Sequence, residues 1–181
     1  TKLTDQGGQA LVVVQHEAHG PRRAGACFWT ESSRVARSGL APGLNRPELQ
    51  DLDLRLFDTA VGDGTAEALA QSVRVLSKLT KAKISLQLVA DSTAAALGTA
   101  LKSCRKLEKA HLVLYSTKLT DQGGQALVAG LNRPELQDLD LRLFDTAVGD
   151  GTAEALGQSV SVLSKLTKVF ISLYNTKLTD R

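Results

Sequence analysis

The chain has 181 residues, 30 of them leucine, with 43% hydrophobic and 23% charged positions and a net charge of +3. That balance is able to bury a core and excludes collagen-like and highly charged disordered chains. The charge is too small and too mixed to imply nucleic acid, and no apolar run approaches the about 18 residues of a membrane helix, so neither nucleic acid nor membrane is expected as a partner.

The first predicted element is a partial repeat. Residues 1–12, TKLTDQGGQALV, stand again at 117–128, and they read as a turn and helix. Between Val12 and Gly43 the first copy carries residues 13–42 where the later copy has only Ala129. This segment shows no sustained period, which predicts an aperiodic, disordered insertion: a tolerated loop or translated non-coding sequence. It holds Trp29, the only tryptophan, and Arg22, Arg23, Arg34 and Arg37 against Glu17 and Glu31. His16 and His19 sit three apart with Cys27 isolated beyond them. Zinc sites want four ligands at tight, paired spacings, so no metal is expected there. With no methionine, the chain reads as a fragment of a larger product.

From residue 43 the chain is periodic. Residues 43–81 recur at 130–168 with two differences in 39 positions, Ala70 against Gly157 and Arg74 against Ser161. The two offsets, 87 and 116, differ by 29, which sets a unit of about 29 residues. The units run 49–78, 79–106, 107–135 and 136–165, with a partial unit at 166–181. Each opens on alternating apolar residues: Leu52, Leu54, Leu56; Ala82, Ile84, Leu86; Ala110, Leu112, Leu114; Leu139, Leu141, Leu143; Val169, Ile171, Leu173. Period two predicts a strand with one buried face. The spacing then changes to 3 and 4, as in Ala66, Leu69, Val73, Leu76, in Ala94, Leu97, Leu101, Cys104 and in Ala153, Leu156, Val160, Leu163. That is one stripe of a helix. Asp63, Asp91, Asp121 and Asp150 precede these helices and are expected to cap their free N–H groups. Pro47 and Pro134 follow Leu44 and Leu131 and stop the helix there.

Strand, turn and helix at this period resemble the leucine-rich repeat family, and the 28–30-residue unit with a helical second half is similar to its ribonuclease-inhibitor-like type. Leu112, Leu114, Thr117 and Leu119 fit the end of the family pattern, with Thr59, Thr117, Thr146 and Thr176 at its Asn/Cys position. The resemblance implies an α/β solenoid, a right-handed horseshoe with a parallel sheet on the concave face and helices on the convex face. Such units stack because none can bury its apolar stripe alone, and terminal units need polar caps. Neither end carries a recognisable cap, so frayed ends and a tendency to aggregate are expected.

Motifs for catalysis are scarce. Gly62-Asp63-Gly64 and Gly123-Gly124 lack the Gly-Lys-Ser/Thr of a phosphate loop, and there is no Gly-x-Ser-x-Gly. Asp51, Asp53 and Asp58 recur as Asp138, Asp140 and Asp145, but alternation places them on the solvent side of a strand, opposite leucine. Side chains alternating with the core form three columns. These are Asp53, Lys83, His111, Asp140, Phe170; then Arg55, Ser85, Val113, Arg142, Ser172; then Phe57, Gln87, Tyr115, Phe144, Tyr174. The third column holds four of the seven aromatic residues. Aromatic residues and arginine are enriched where proteins bind one another. Arg55, Phe57, His111, Tyr115, Arg142, Phe144 and Tyr174 are therefore the candidate binding residues.

The expected function is a non-catalytic protein-binding module, a scaffold, adaptor or sensor part of a larger protein, using the concave face. No enzyme activity, cofactor or metal is expected. The resemblance also admits regulation of an enzyme, with a small GTPase as partner in the manner of the Ran GTPase-activating protein, though no residue here matches that activity. A third alternative is a recently duplicated fragment without a selected partner, which the 37 identities in 39 positions suit. Two cysteines, no glycosylation acceptor and no signal peptide predict an intracellular, cytoplasmic setting.

Overall fold

Alternating leucines make strands here because every second side chain finds a helix to pack on. The structure, a computed structural model, describes residues 48–57, 70–87, 90–115 and 118–179, with the backbone of short strands at 2–5, 8–15 and 29–30; side chains of 55–57 fall outside it. Strands β1 (Lys2–Asp5), β2 (Gly8–Gln15) and β3 (Trp29–Thr30) precede β4 (Asp51–Phe57), β5 (Lys81–Gln87), β6 (Lys109–Tyr115), β7 (Asp138–Phe144) and β8 (Lys168–Ser172). Helices α1 (Asp91–Ser103), α2 (Asp121–Leu131) and α3 (Asp150–Val162) alternate with the later strands, and residues 70–74 are helical ahead of β5. The sheet order is β3-β1-β2-β4-β5-β6-β7-β8, with β4 to β8 mutually parallel. This is an α/β arrangement in which a five-stranded parallel sheet alternates with helices, as in a solenoid.

The strands start at residues 51, 81, 109, 138 and 168, spaced 30, 28, 29 and 30 apart. Those are the lengths of the sequence units. The inward triplets of β5, β6 and β7 are buried and join Leu97, Leu101, Cys104, Leu127 and Leu131 from the helices in one core. Each buried leucine contributes about 2 kcal/mol by leaving water. The triplet of β8 departs from expectation. Val169 and Ile171 are exposed, because among the described residues no further unit covers them.

A backbone ladder fixes one unit on the next. The carbonyl of Gln50 accepts from the N–H groups of Thr80 and Lys81, that of Thr80 from Glu108 and Lys109, that of Glu108 from Gln137 and Asp138, and that of Gln137 from Thr167 and Lys168. Helices α1 and α2 approach closely. A Cβ on Gly98 would lie 2.5 Å from the Ala126 oxygen, and one on Gly130 would lie 2.1 Å from the Gly98 oxygen. Only glycine leaves room for that approach.

The aspartates do something other than cap their own helices. Asp91, Asp121 and Asp150 stand in the first turn of α1, α2 and α3, and none of these helices is capped by the side chain of its own N-cap residue. Each carboxylate reaches forward to the next unit instead. Asp91 accepts from Thr120 N–H (2.7 Å) and Oγ1 (2.6 Å). Asp121 accepts from Gly149 N–H (2.7 Å), Thr152 N–H (3.0 Å) and Thr152 Oγ1 (2.6 Å). Asp150 accepts from the backbone and hydroxyl of Thr179. Burial works against the charge of Asp121, but the Thr152 hydroxyl and the N–H groups of Gly149, Thr152 and Gly151 outweigh it and hold the carboxyl below its ordinary value. Asp63 lies outside the described residues.

The first twelve residues also depart from expectation. Their copy at 117–128 contributes to α2, yet residues 8–15 form β2, which pairs antiparallel with β4 from Gln9↔Phe57 to Gln15↔Asp51. The sequences part after Val12. The later copy continues Ala-Gly-Leu, whereas the first continues Val-Val-Gln, and a run of branched residues favours a strand. The β4 edge also offers unpaired backbone groups. Thus β2 covers an edge that the sequence reading leaves uncapped. Most of the 13–42 segment lies outside the described residues.

Candidate functional site

Residues between the buried leucines point to the sheet face away from the helices. Strand register aligns them in rows across the sheet: Asp53, Lys83, His111, Asp140, Phe170, and beside them Arg55, Ser85, Val113, Arg142, Ser172. A further row, Asp51, Lys81, Lys109, Asp138, Lys168, runs along the strand starts. Parallel pairing without slippage produces these rows, because a shift by one residue would turn every leucine outward.

Opposite charges pair along two of the rows, although Lys81 and Lys109 stand side by side. Lys81 pairs with Asp51 at 3.5 Å and Lys83 with Asp53 at 3.8 Å. Asp138 lies between His111 Nε2 at 3.5 Å and Lys168 Nζ at 3.6 Å. Asp140 binds Arg142 in a fork, with Nε and Nη2 each at 2.8 Å. That hydrogen bonding raises the Arg142 pKa above its ordinary value, against a smaller opposing effect of burial. Such pairs at a solvated surface contribute little to stability, but they fix side-chain directions. The Arg142 guanidinium lies 4.7 Å above the centre of the Phe170 ring. Tyr115 and Phe144 stack with centres 5.3 Å apart and planes tilted by 31°.

The structure therefore brings together four of the candidate residues, His111, Tyr115, Arg142 and Phe144, on adjacent strands β6 and β7. Tyr174 follows the end of β8 and is 71% exposed; its carbonyl accepts from Asp145 N–H at 3.2 Å. The side chains of Arg55 and Phe57 lie outside the described residues. Sequence reasoning left Phe170, Asp138 and Asp140 out of the candidate set. Register held the signal for Phe170, since it lies one strand over from Arg142 in the neighbouring row.

Chemically, the face presents paired charges beside flat apolar rings. Its carboxylates are engaged by cations. Among the described residues no group of three or more His, Cys, Asp or Glu side chains could hold a metal ion. Cys104 is buried, and burial pushes its thiol up to about 11 against a smaller lowering by Arg133, so it packs as an apolar side chain. Among the described residues no helix is long and apolar enough to cross a membrane. Compared with known proteins, the sequence matches no family model and no curated protein.

Proposed function

We propose that this chain is a non-catalytic protein-binding module of the leucine-rich repeat kind, similar to the ribonuclease-inhibitor-like type. Its parallel sheet forms the concave face of a right-handed horseshoe and receives a protein partner. The 28–30-residue unit and the strand–helix alternation support the fold reading. The observation that carries the function is the cluster of Tyr115 on Phe144 beside Arg142 over Phe170, on the face free of helices. Rings held by neighbours lose little freedom on binding, and such residues supply most of the affinity of protein interfaces.

A peptide library displayed on phage tests this. Binders selected on the full chain should lose about 2 kcal/mol, about thirtyfold in affinity, on the Tyr115→Ala/Phe144→Ala variant. A helix-side control, Glu154→Ala, should leave them unchanged. Equal binding to the double variant, with circular dichroism unaltered, overturns the proposed surface.

A further inference from the structure

The ion pairs of the repeat leave the middle unit out. The outward row at the strand starts reads Asp51, Lys81, Lys109, Asp138, Lys168. Three residues before each of these strands stands a second row, Glu48, Lys78, Lys106, Glu135, Lys165. The order of signs is the same in both. Each acid takes a lysine from the following unit: Lys78 on Glu48 at 2.5 Å, Lys165 on Glu135 at 2.6 Å, Lys81 on Asp51 at 3.5 Å and Lys168 on Asp138 at 3.6 Å. Lys106 and Lys109 are left over, and among the described residues neither has a carboxylate partner. Both are exposed, and so is Arg105, which stands where the other units have Ser77, Pro134 and Ser164. The sequence accounts for this. The near-identical copies 43–81 and 130–168 each supply an acid and the lysine that meets it, whereas the stretch between them supplies a lysine at both places and no acid.

These cations stand at the foot of β6, the central strand of the parallel five. The outward residues of that strand run Lys109, His111, Val113, Tyr115, with His111 turned to Asp138 at 3.5 Å. One strand thus leads from free positive charge past Val113 to the ring pair of Tyr115 and Phe144. Lys109 and Tyr115 are six residues apart, about 20 Å along an extended chain. The positive stripe is narrow. Asp138 and Asp140 flank it on β7, and the lysines of β5 are taken by Asp51 and Asp53. Strands lie about 4.8 Å apart, so a phosphate backbone laid here would press against carboxylates. A polypeptide instead places single acidic side chains where the cations are. We propose that the open face takes an extended acidic segment of a protein partner along β6. Asp or Glu side chains meet Lys106 and Lys109, and an apolar or aromatic side chain about six positions away meets Tyr115 and Phe144. The inference rests on the protein-binding reading and adds the chemistry of the partner. Charge complementarity of this kind selects the partner and speeds encounter, while the rings supply affinity.

The test uses the full chain. Peptides are selected on it from a random library displayed on phage and remade with a fluorescent label for anisotropy. They should carry Asp or Glu about six positions from an aromatic or branched residue. Lys106→Glu/Lys109→Glu should weaken them at least about tenfold, and Lys106→Ala/Lys109→Ala about threefold, with circular dichroism unchanged. The same peptides with lysine in place of each acid should bind the charge-reversed variant more tightly than the parent chain, which no structural disturbance would produce. Arg74→Glu, a charge reversal on a helix, should leave binding as it was. Selected peptides that lack acids, or that are indifferent to both lysine variants, overturn the inference; if they still fail on Tyr115→Ala/Phe144→Ala, the protein-binding reading stands. Peptides indifferent to both pairs of residues, or no selected binder at all, overturn both. A labelled oligonucleotide that binds more tightly than the peptides and is released by the charge reversal would assign the stripe to nucleic acid and overturn the proposal as well.

Discussion

Residues 70–81 and 157–168 are two copies of nearly the same twelve residues with different surroundings. In the first copy Val73, Leu76 and Leu79 are fully buried and Ala70 is 5% exposed. In the second, Val160 and Leu166 are only half-buried and Gly157 is exposed. The first copy is followed by β5 and α1, whereas the second is followed by β8 alone. Leu163, the counterpart of Leu76, stays buried at 5% exposure, so the next unit decides burial at 70, 73 and 79 but not at 76. The contrast also separates contacts found in both copies from contacts found in one. Lys78 to Glu48 at 2.5 Å and Lys165 to Glu135 at 2.6 Å are the same ion pair in both copies. Helix faces differ in the same way: Gly130 meets the preceding helix α1, while a Cβ on Gly157 would meet nothing within 4 Å.

The largest effect is expected where two units touch backbone to backbone. Gly130→Ala drives a methyl group into the Gly98 peptide, and neither backbone has a soft degree of freedom to yield. We expect a loss of about 3 kcal/mol in urea unfolding, despite the better helix propensity of alanine. A loss below about 0.5 kcal/mol would show that α1 and α2 slide freely, and the contrast between interior and terminal units would then rest on side chains alone.

Much of this was legible in the sequence, and the reason is periodicity. Two alternating spacings in a unit of about 29 residues located β4 to β8 and the buried face of α1. The rows of the open face followed, because register in a parallel ladder leaves them no choice. What escaped was whatever depended on a neighbour. Asp121 occupies a position from which a carboxylate could cap its own helix or reach the next unit, and only the distance to Gly149 and Thr152 decides. Residues 8–12 are identical to 124–128, yet they pair as a strand, because β4 presents a free edge and Val13-Val14 follows them. The Arg142–Phe170 stack needed side-chain directions that Asp140 sets.

Asp121 sharpens the comparison at middle range. It accepts from Gly149 and from the backbone and hydroxyl of the buried Thr152, whereas Asp150 accepts from the backbone and hydroxyl of the exposed Thr179. Thr152 is fully buried, so losing its acceptor leaves a donor without a partner. Asp121→Ala should cost about 2 kcal/mol at neutral pH, and more than Asp150→Ala. The pH dependence has a definite sign. The folded carboxyl titrates below the unfolded one, whose ordinary value is 3.8. Its contribution is therefore present above the unfolded value and is lost as pH falls through the folded value. The difference between wild type and Asp121→Ala should shrink in acid below about pH 4. A constant difference down to pH 2 would mean that Thr152 is held by packing and not by charge.

The smallest effect reverses the sign of the largest. Gly157 lies inside α3, where glycine costs about 0.5–1 kcal/mol relative to alanine. The first copy already has alanine at this place, Ala70, and buries it beneath the next unit. At position 157 a methyl group meets open space, so neither clash nor burial enters. Gly157→Ala should therefore stabilise the chain by about 0.5 kcal/mol, seen as a higher urea midpoint at unchanged slope. One substitution, glycine to alanine, would then weaken the fold at 130 and strengthen it at 157. The difference between the two sites is whether a helix packs against the face that carries the glycine. A loss of stability at 157 would show that something packs against the outer side of α3 in solution, and the terminal unit would have to be counted among the covered ones.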